Sequence, residues 1–363
     1  MRILYGVQAT GQGHISRARA MSKALASYSD LEVTWLFSGR RQDKLFDMDR
    51  FGDYEHRRGL TFVTEGGSVK YWKTLLSNNY LAFLRDVLAL SLEGFDLIVT
   101  DYEPVTAWAG IIRKRPVIGI GHQYAFGEET PKDGCTTLQR IVMSRFAPVA
   151  RQIGLHWHPF DKKTLPPILD LPDYESCHVG KYILVYLPFE DQSVVTRWLN
   201  GFQCHEFVQF SAALPNDQQG NVARRTASFE RFKSELAGSS GVICNSGFEL
   251  ISECLQWRKP VLTRPLARQM EQLSNAAALE QLGYATTMGD LDSDIASRWL
   301  DNLPAAPEVR FSDVSRSLAD WLARGAEQPI SQLNKDLWVQ EEPKGSSNVQ
   351  TSPHRHFKGS RQS

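Results

Sequence analysis

Asn245-Ser246-Gly247-Phe248-Glu249-Leu250-Ile251-Ser252-Glu253-Cys254-Leu255-Gln256-Trp257, continued by Lys259-Pro260-Val261-Leu262-Thr263-Arg264-Pro265, reads as strand end, tight turn, helix, turn and strand. The strand before it, Gly241-Val242-Ile243-Cys244, is a short apolar run that suits a buried parallel strand. Ser246 is placed to cap the helix, and Glu249 follows three residues on, where a capping box puts its acid. The free amides and positive dipole end at that helix start form an anion site. Glu253 stands one turn past Glu249 on the same face, within reach of what the anion is attached to. A phosphate at the helix start with a hydroxyl-rich group at the carboxylate describes a nucleotide sugar.

Working outward, the amino terminus repeats the pattern. Residues 2–8 read as a strand, Ala9-Thr10-Gly11-Gln12-Gly13-His14 as a loop, about Ser16 to Ala26 as a helix, and Glu32–Phe37 as a second strand. This β-loop-α-β unit opens a doubly wound α/β domain. Phe95–Asp101 and Arg115–Gln123 are further strands, and Ile153–His158 closes the first half. Ligands in open α/β sheets bind at the carboxyl ends of strands, where His14, Asp101 and His122 stand. Prolines 159, 166, 167 and 172 mark a linker. The second half restarts with the strand Lys181–Pro188. A helix near 192–200, a strand His205–Phe210, a polar loop 215–227 and a helix Phe229–Leu236 lead into the opening stretch. After it come a helix Glu271–Leu282, an edge strand Tyr284–Thr287 and a late helix Phe311–Ala323. The expected organisation is two Rossmann-like α/β domains facing each other across a cleft: 1–160, a linker 161–178, then 179–310, with a helical segment 311–339 and a disordered tail 340–363.

Bulk composition narrows the function classes. Lys plus Arg and Asp plus Glu both number 41, so the basic excess usual in nucleic-acid binding is missing. The five cysteines include no CxxC pair, which argues against a disulfide framework or a structural zinc site. A reducing cytosol is the expected home. No run approaches transmembrane length. Lys70 and Lys73 interleave with Tyr71, Trp72, Leu75 and Leu76, so the stretch at about 68–90 reads either as a helix packed on its own domain or as a peripheral contact on the inner face of a membrane.

The loop Gly11-x-Gly13 suggests a dinucleotide fingerprint, but its third glycine would fall at Ser16 and no acid ends the second strand. Ser38-Gly39-Arg40-Arg41 stands there instead, and its arginines suit a 2′-phosphate, which keeps an NADP-dependent oxidoreductase as a rival. The glycines also serve simply to permit a tight turn. His14, opening a helix toward the cleft, is either a general base, biased to its neutral form by the helix start, or a histidine that only hydrogen-bonds in place.

Taken together, these residues resemble the GT-B glycosyltransferases, in the branch of the lipid-linked N-acetylglucosaminyltransferase of peptidoglycan synthesis. Thr10-Gly11-Gln12-Gly13-His14 resembles that branch's Thr-Gly-x-Gly-His loop. Ser246-Gly247 through Glu253, with Lys259-Pro260 and Pro265, is similar to its second motif, and Glu271-Gln272-Leu273-Ser274-Asn275-Ala276 to its Gln-x-x-Asn-Ala segment. Order and spacing agree over roughly residues 1–290. The resemblance implies that Glu253 accepts from ribose hydroxyls and that the Ser246 and Gly247 turn meets the diphosphate. It further implies that Gln272 and Asn275 bind the donor sugar, and that Gly11, Gly13 and His14 lie beneath the phosphates and acceptor. In plant relatives of this fold a His after the first strand pairs with an Asp from a later strand, which implies a His14–Asp101 pair here. His122 and Gln123 fall on the acceptor side.

The implied reaction moves a sugar from a nucleoside diphosphate donor, a UDP-sugar, to a hydroxyl acceptor, itself unidentified and in that branch lipid-linked. It proceeds with inversion and needs no cofactor or metal. A sugar-nucleotide epimerase of the same shape and a non-catalytic nucleotide-sugar binder would carry the same donor motifs. Glu249 reads as a cap, and Glu253 as the ribose carboxylate or a solvated charge. Arg264 and Arg268 either neutralise the leaving diphosphate or lie on the surface. His156 and His158, alternating on a strand, are expected to share a face without completing a metal site. The turn Leu187-Pro188-Phe189-Glu190-Asp191-Gln192 departs from the branch: it carries two acids where a glycine-rich turn is expected.

Overall fold

The computed structural model describes residues 1–338 apart from 46, 62–63, 66–67, 70–73, 75, 128, 134–135 and 173–179. The tail expected at 340–363, and Lys70, Tyr71, Trp72, Lys73 and Leu75, lie outside the described residues.

Two seven-stranded sheets organise the described residues. In the first, β1 (Arg2–Gln8), β2 (Glu32–Ser38), β3 (Glu55–His56), β4 (Leu97–Asp101), β5 (Ile118–Gly121), β6 (Arg151–Leu155) and β7 (Thr164–Leu165) lie in the order β3-β2-β1-β4-β5-β6-β7. All of these pairings are parallel. The second contains β8 (Tyr182–Tyr186), β9 (Glu206–Ser211), β10 (Asp217–Gln219), β11 (Val222–Thr226), β12 (Gly241–Asn245), β13 (Val261–Arg264) and β14 (Thr286–Thr287). Its order is β10-β11-β9-β8-β12-β13-β14, antiparallel only between β10 and β11. Strand order reverses between β1 and β4 in one sheet and between β8 and β12 in the other, which are the places where such sheets bind ligands. From Ile3 onward β1, and all of β12, are unbroken buried runs, as strands covered on both faces must be.

Helix α1 (Gln12–Leu25) follows β1, α2 (Tyr80–Ala89) precedes β4, and α3 (Pro104–Ile112) and α4 (Thr137–Phe146) flank β5. In the second half α5 (Gln192–Leu199) and α6 (Phe229–Gly238) precede α7 (Phe248–Gln256), followed by α8 (Met270–Leu282) and α9 (Ser293–Asp301). Helices α10 (Val314–Ala323) and α11 (Ile330–Trp338) return to the first half. There Tyr28 donates to Asp320, and the Asn334 amide and Trp338 indole both donate to the Thr164 carbonyl.

Several expectations change. The polar stretch 215–227 holds strands β10 and β11 rather than a loop; β11 pairs with β9 and β10 forms the exposed sheet edge, where exposure removes the apolar alternation that marks a strand. Within the proline-marked stretch, Thr164–Leu165 forms an edge strand and is buried. Strand β6 ends at Leu155, so the two-residue period no longer applies beyond it: His156 is buried and His158 exposed, and they share no face.

Candidate active site

Helix α1 begins at Gln12, four residues earlier than its periodicity suggests, with Gly11 in an extended cap conformation three residues past the strand. His14 is therefore fixed in the first helical turn. Its Nδ1 lies 2.8 Å from Asp101 Oδ1 at the end of β4, and the two residues straddle the first switch point.

Arg17, one turn along α1 and fully buried, completes this arrangement and was not singled out from the sequence. Its Nε donates to Asp101 Oδ2 at 2.7 Å and its Nη2 to Oδ1 at 2.5 Å. Burial alone would raise the Asp101 carboxyl, but the Arg17 guanidinium and His14 outweigh it and hold that carboxyl below its usual range. Asp101 is thus an anion at neutral pH. Arg17 Nη1 crosses to the other domain and pairs with Glu249. The signal that could have found it is position: an arginine at His14 plus three shares the histidine's face, in a stretch otherwise rich in alanine.

That contact corrects the reading of the second motif. The N-cap of α7 is Gly247, without a side-chain cap, and no capping box forms. Ser246 is buried with its hydroxyl 2.9 Å from Thr263 Oγ1, since that side chain turns into the sheet rather than along the helix axis. Glu249 faces α1, where Arg17 offers a buried cation. Gly13 makes the approach possible, because a Cβ there would stand 2.4 Å from Glu249 Oε2. A Cβ on Gly11 or Gly247 would meet nothing within 4 Å, so both turns border open space.

The resemblance-implied contacts are arranged as follows. Asn275 is buried; its Nδ2 donates to the Ser246 carbonyl at 2.9 Å, and its Oδ1 lies 2.7 Å from His122 Nε2 in the first domain. His122 stacks on Phe248 with ring centroids 3.9 Å apart and planes 4° off parallel, and burial lowers its pKa against a partial offset from Glu271. Gln123 donates to Glu271 at 3.1 Å, also across the cleft. Gln272 is buried, and its Oε1 accepts from the Leu266 amide at 2.9 Å. Arg264 pairs with Glu190 and, at 3.3 Å, with Asp290. The two acids of the 188–191 turn thus have structural partners: Glu190 holds Arg264, and Asp191 caps α5 through the Ser193 and Val194 amides. Arg40 donates to the Thr10 carbonyl at 2.8 Å and braces the glycine loop, while Arg41 pairs with Asp43.

Glu253 is buried and paired with Lys233 of α6, the second residue missed by sequence reading. Burial raises its carboxyl, and Lys233 offsets this in part. The pair borders an open space between the domains, with Gln12, Arg19, Tyr186 and Phe229 among its walls. The Arg19 guanidinium lies 3.8 Å above the Phe229 ring centroid, so α1 closes over this space from the first domain.

Two doubly wound sheets, with switch points meeting across a cleft that holds a histidine–aspartate pair, define a GT-B enzyme. The chain belongs to glycosyl transferase family 1, whose model matches residues 1–304, and it is a glycosyltransferase. Solved structures share the fold. Phytolacca americana UGT2 complexed with UDP-2fluoro-glucose and pterostilbene is 13% identical, with 92% of this chain and 98% of that one covered and a TM-score of 0.57. The S. aureus MnaA-UDP co-structure is 11% identical, with 90% and 98% covered and a TM-score of 0.59. Acinetobacter baumannii MurG is 14% identical, with 89% and 99% covered and a TM-score of 0.52. No curated protein matches the chain.

Proposed function

We propose that the protein transfers a sugar from a nucleoside diphosphate sugar, a UDP-sugar by preference, to a hydroxyl acceptor, with inversion and without a metal. The observation that carries this reading is the 2.8 Å His14–Asp101 contact beside the open Gly11 turn. His14, donating from Nδ1 to the anionic Asp101, presents Nε2 as the base that takes the acceptor proton. The opposite domain presents the Gly247 turn, whose amides and helix dipole would take the charge of the leaving diphosphate. Glu249 does not oppose that charge at close range, because Arg17 neutralises it. The nucleoside would enter the space beside Glu253, where UDP-bound relatives of the fold support a uridine donor.

We infer a lipid-linked hydroxyl acceptor from an exposed apolar face. On α2, Leu81 is 82% exposed, and Leu84 and Leu88 follow on the same stripe, with Leu76 just before it. This exposed apolar face supports peripheral contact with the cytoplasmic leaflet of a membrane. Co-sedimentation with anionic vesicles, lost in Leu81→Glu/Leu84→Glu, tests the contact. No described helix is long and apolar enough to cross a bilayer.

Thermal shift with UDP, dTDP and NADPH tests the donor assignment, since a ligand of the native state raises Tm. A response to UDP and not to NADPH is expected; the reverse sinks the reading in favour of an oxidoreductase. Conversion of a UDP-sugar in the absence of any acceptor would point to an epimerase, and binding without turnover to a sensor. Turnover unaffected by EDTA is expected.

A further inference from the structure

We propose that Arg17 is a positioning residue for His14, and that Glu249 of the facing domain controls it. The inference rests on the reading of His14 as the base and names what sets its proton. His14 Nδ1 has two neighbours with opposite demands: Asp101 Oδ1 at 2.8 Å and Arg17 Nη2 at 2.9 Å. An ionised carboxylate only accepts hydrogen bonds and a guanidinium only donates them. With its proton on Nδ1, the neutral ring donates to Asp101 and keeps a lone pair on Nε2, the form a base needs. With its proton on Nε2, the ring accepts from Arg17 and offers no lone pair to an acceptor hydroxyl. Arg17 therefore bears on the choice between the two tautomers.

Glu249 decides how Arg17 acts. The guanidinium is a rigid planar fork, so a partner at one nitrogen orients the others. Nε and Nη2 are forked onto Asp101, and Nη1 is held by Glu249 across the cleft. This grip holds the fork on the Asp101 carboxylate. It also divides the cation between two carboxylates, which weakens its claim on the His14 lone pair. Gly13 admits the Glu249 carboxylate to this position. Closure of the cleft, which seats α7 on α1, thus selects the Nδ1–H tautomer, and opening it releases Arg17 toward His14. The change moves one proton between the two ring nitrogens and alters no net charge.

The ring ¹⁵N shifts of His14 report which nitrogen carries the proton. They are measured in the full-length ¹⁵N-histidine-labelled protein, in a pH range where the ring is neutral, and assigned with His14→Gln. The wild type is expected to carry the proton mainly on Nδ1. The Nε2–H share should rise several-fold in Glu249→Gln and fall back in Glu249→Asp, while the signals of buried His122 and His156 stay in place. A structural role alone would move all three or none. A wild type protonated on Nε2, or a folded Glu249→Gln protein with an unchanged His14 tautomer, overturns the proposal. Should Glu249→Gln fail to fold, Gly13→Ala makes the same test, since a Cβ there would stand 2.4 Å from Glu249 Oε2 and displace it from Arg17; the Nε2–H share should again rise, and an unchanged tautomer overturns the proposal. Turnover by His14→Gln judges the base reading separately, because the tautomer measurement needs no substrate.

Discussion

His14 and Asp101, 87 positions apart in the chain, meet at 2.8 Å because β1 and β4 are parallel neighbours and each ends at the same edge of the sheet. Asp101→Asn keeps the shape of this contact and removes its charge. It is expected to lower kcat by about 10²–10⁴-fold, the range that a misoriented general base costs, with KM for the donor little changed. Steady-state kinetics check it, and an equal loss in donor affinity would show that the pair holds the donor instead.

Glu253 is expected to bind the donor ribose, yet its burial with Lys233 changes how that must be tested. Glu253→Ala leaves Lys233 buried without its partner, and such losses cost on the order of 3–5 kcal/mol of stability. The double change Glu253→Gln/Lys233→Met removes both charges and should restore most of that stability. It should still abolish the thermal shift produced by UDP. A normal UDP response in the double variant would take Glu253 out of the donor site.

The glycines of the first loop have different reasons to be glycine. Gly13→Ala puts a Cβ 2.4 Å from Glu249 Oε2, so it should displace Glu249 from Arg17 and cost roughly 1–3 kcal/mol. Gly11→Ala meets nothing within 4 Å and should leave urea stability unchanged while narrowing the open space at the turn. Equal stability of the two variants would contradict the packing role of Gly13.

Asn275 joins the domains by contacting both His122 and the Ser246 carbonyl while fully buried. Asn275→Ala strands both partners. A loss of about 1–3 kcal/mol is expected in urea unfolding, the usual cost of an unsatisfied buried group.

Stability should also fall in mild acid. Burial lowers the folded-state pKa of His122 and, more strongly, of His156 from 6.5. Below that value the unfolded chain binds more protons than the folded one, so their contribution is complete above pH 6.5 and is lost as pH falls toward the folded-state values. Calorimetry from pH 7.5 downward should show Tm falling below about 6.5, with a shallower slope in His156→Asn. A Tm that stays level through that range removes both histidines from the acid response.

The alternating strands and helices, the two-sheet architecture and the loops that meet at the cleft follow from local pattern: buried parallel strands are continuous apolar runs, and glycines mark the turns after them. Gly11 to His14 and Ser246 to Glu253 stand out because backbone geometry restricts what can occupy a strand-to-helix turn. What the side chains do there is less legible. Glu249 has the spacing of a cap, but a cap and an interdomain ion pair use the same residue at the same position, and only the approach of α1 decides between them. Acids at 190 and 191 would repel a diphosphate if free, and only the fold shows that Arg264 and the start of α5 hold them.

By itself, then, the sequence determined where chain direction reverses, which segments are buried, and which turns carry the chemistry, since these depend on neighbours a few residues apart. Only the tertiary structure decided the charge pairing. Arg17 with Asp101 and Glu249, and Lys233 with Glu253, join residues from 20 to 232 positions apart. In a low-dielectric interior each buried charge must find its partner in space, and no local periodicity records which one it finds.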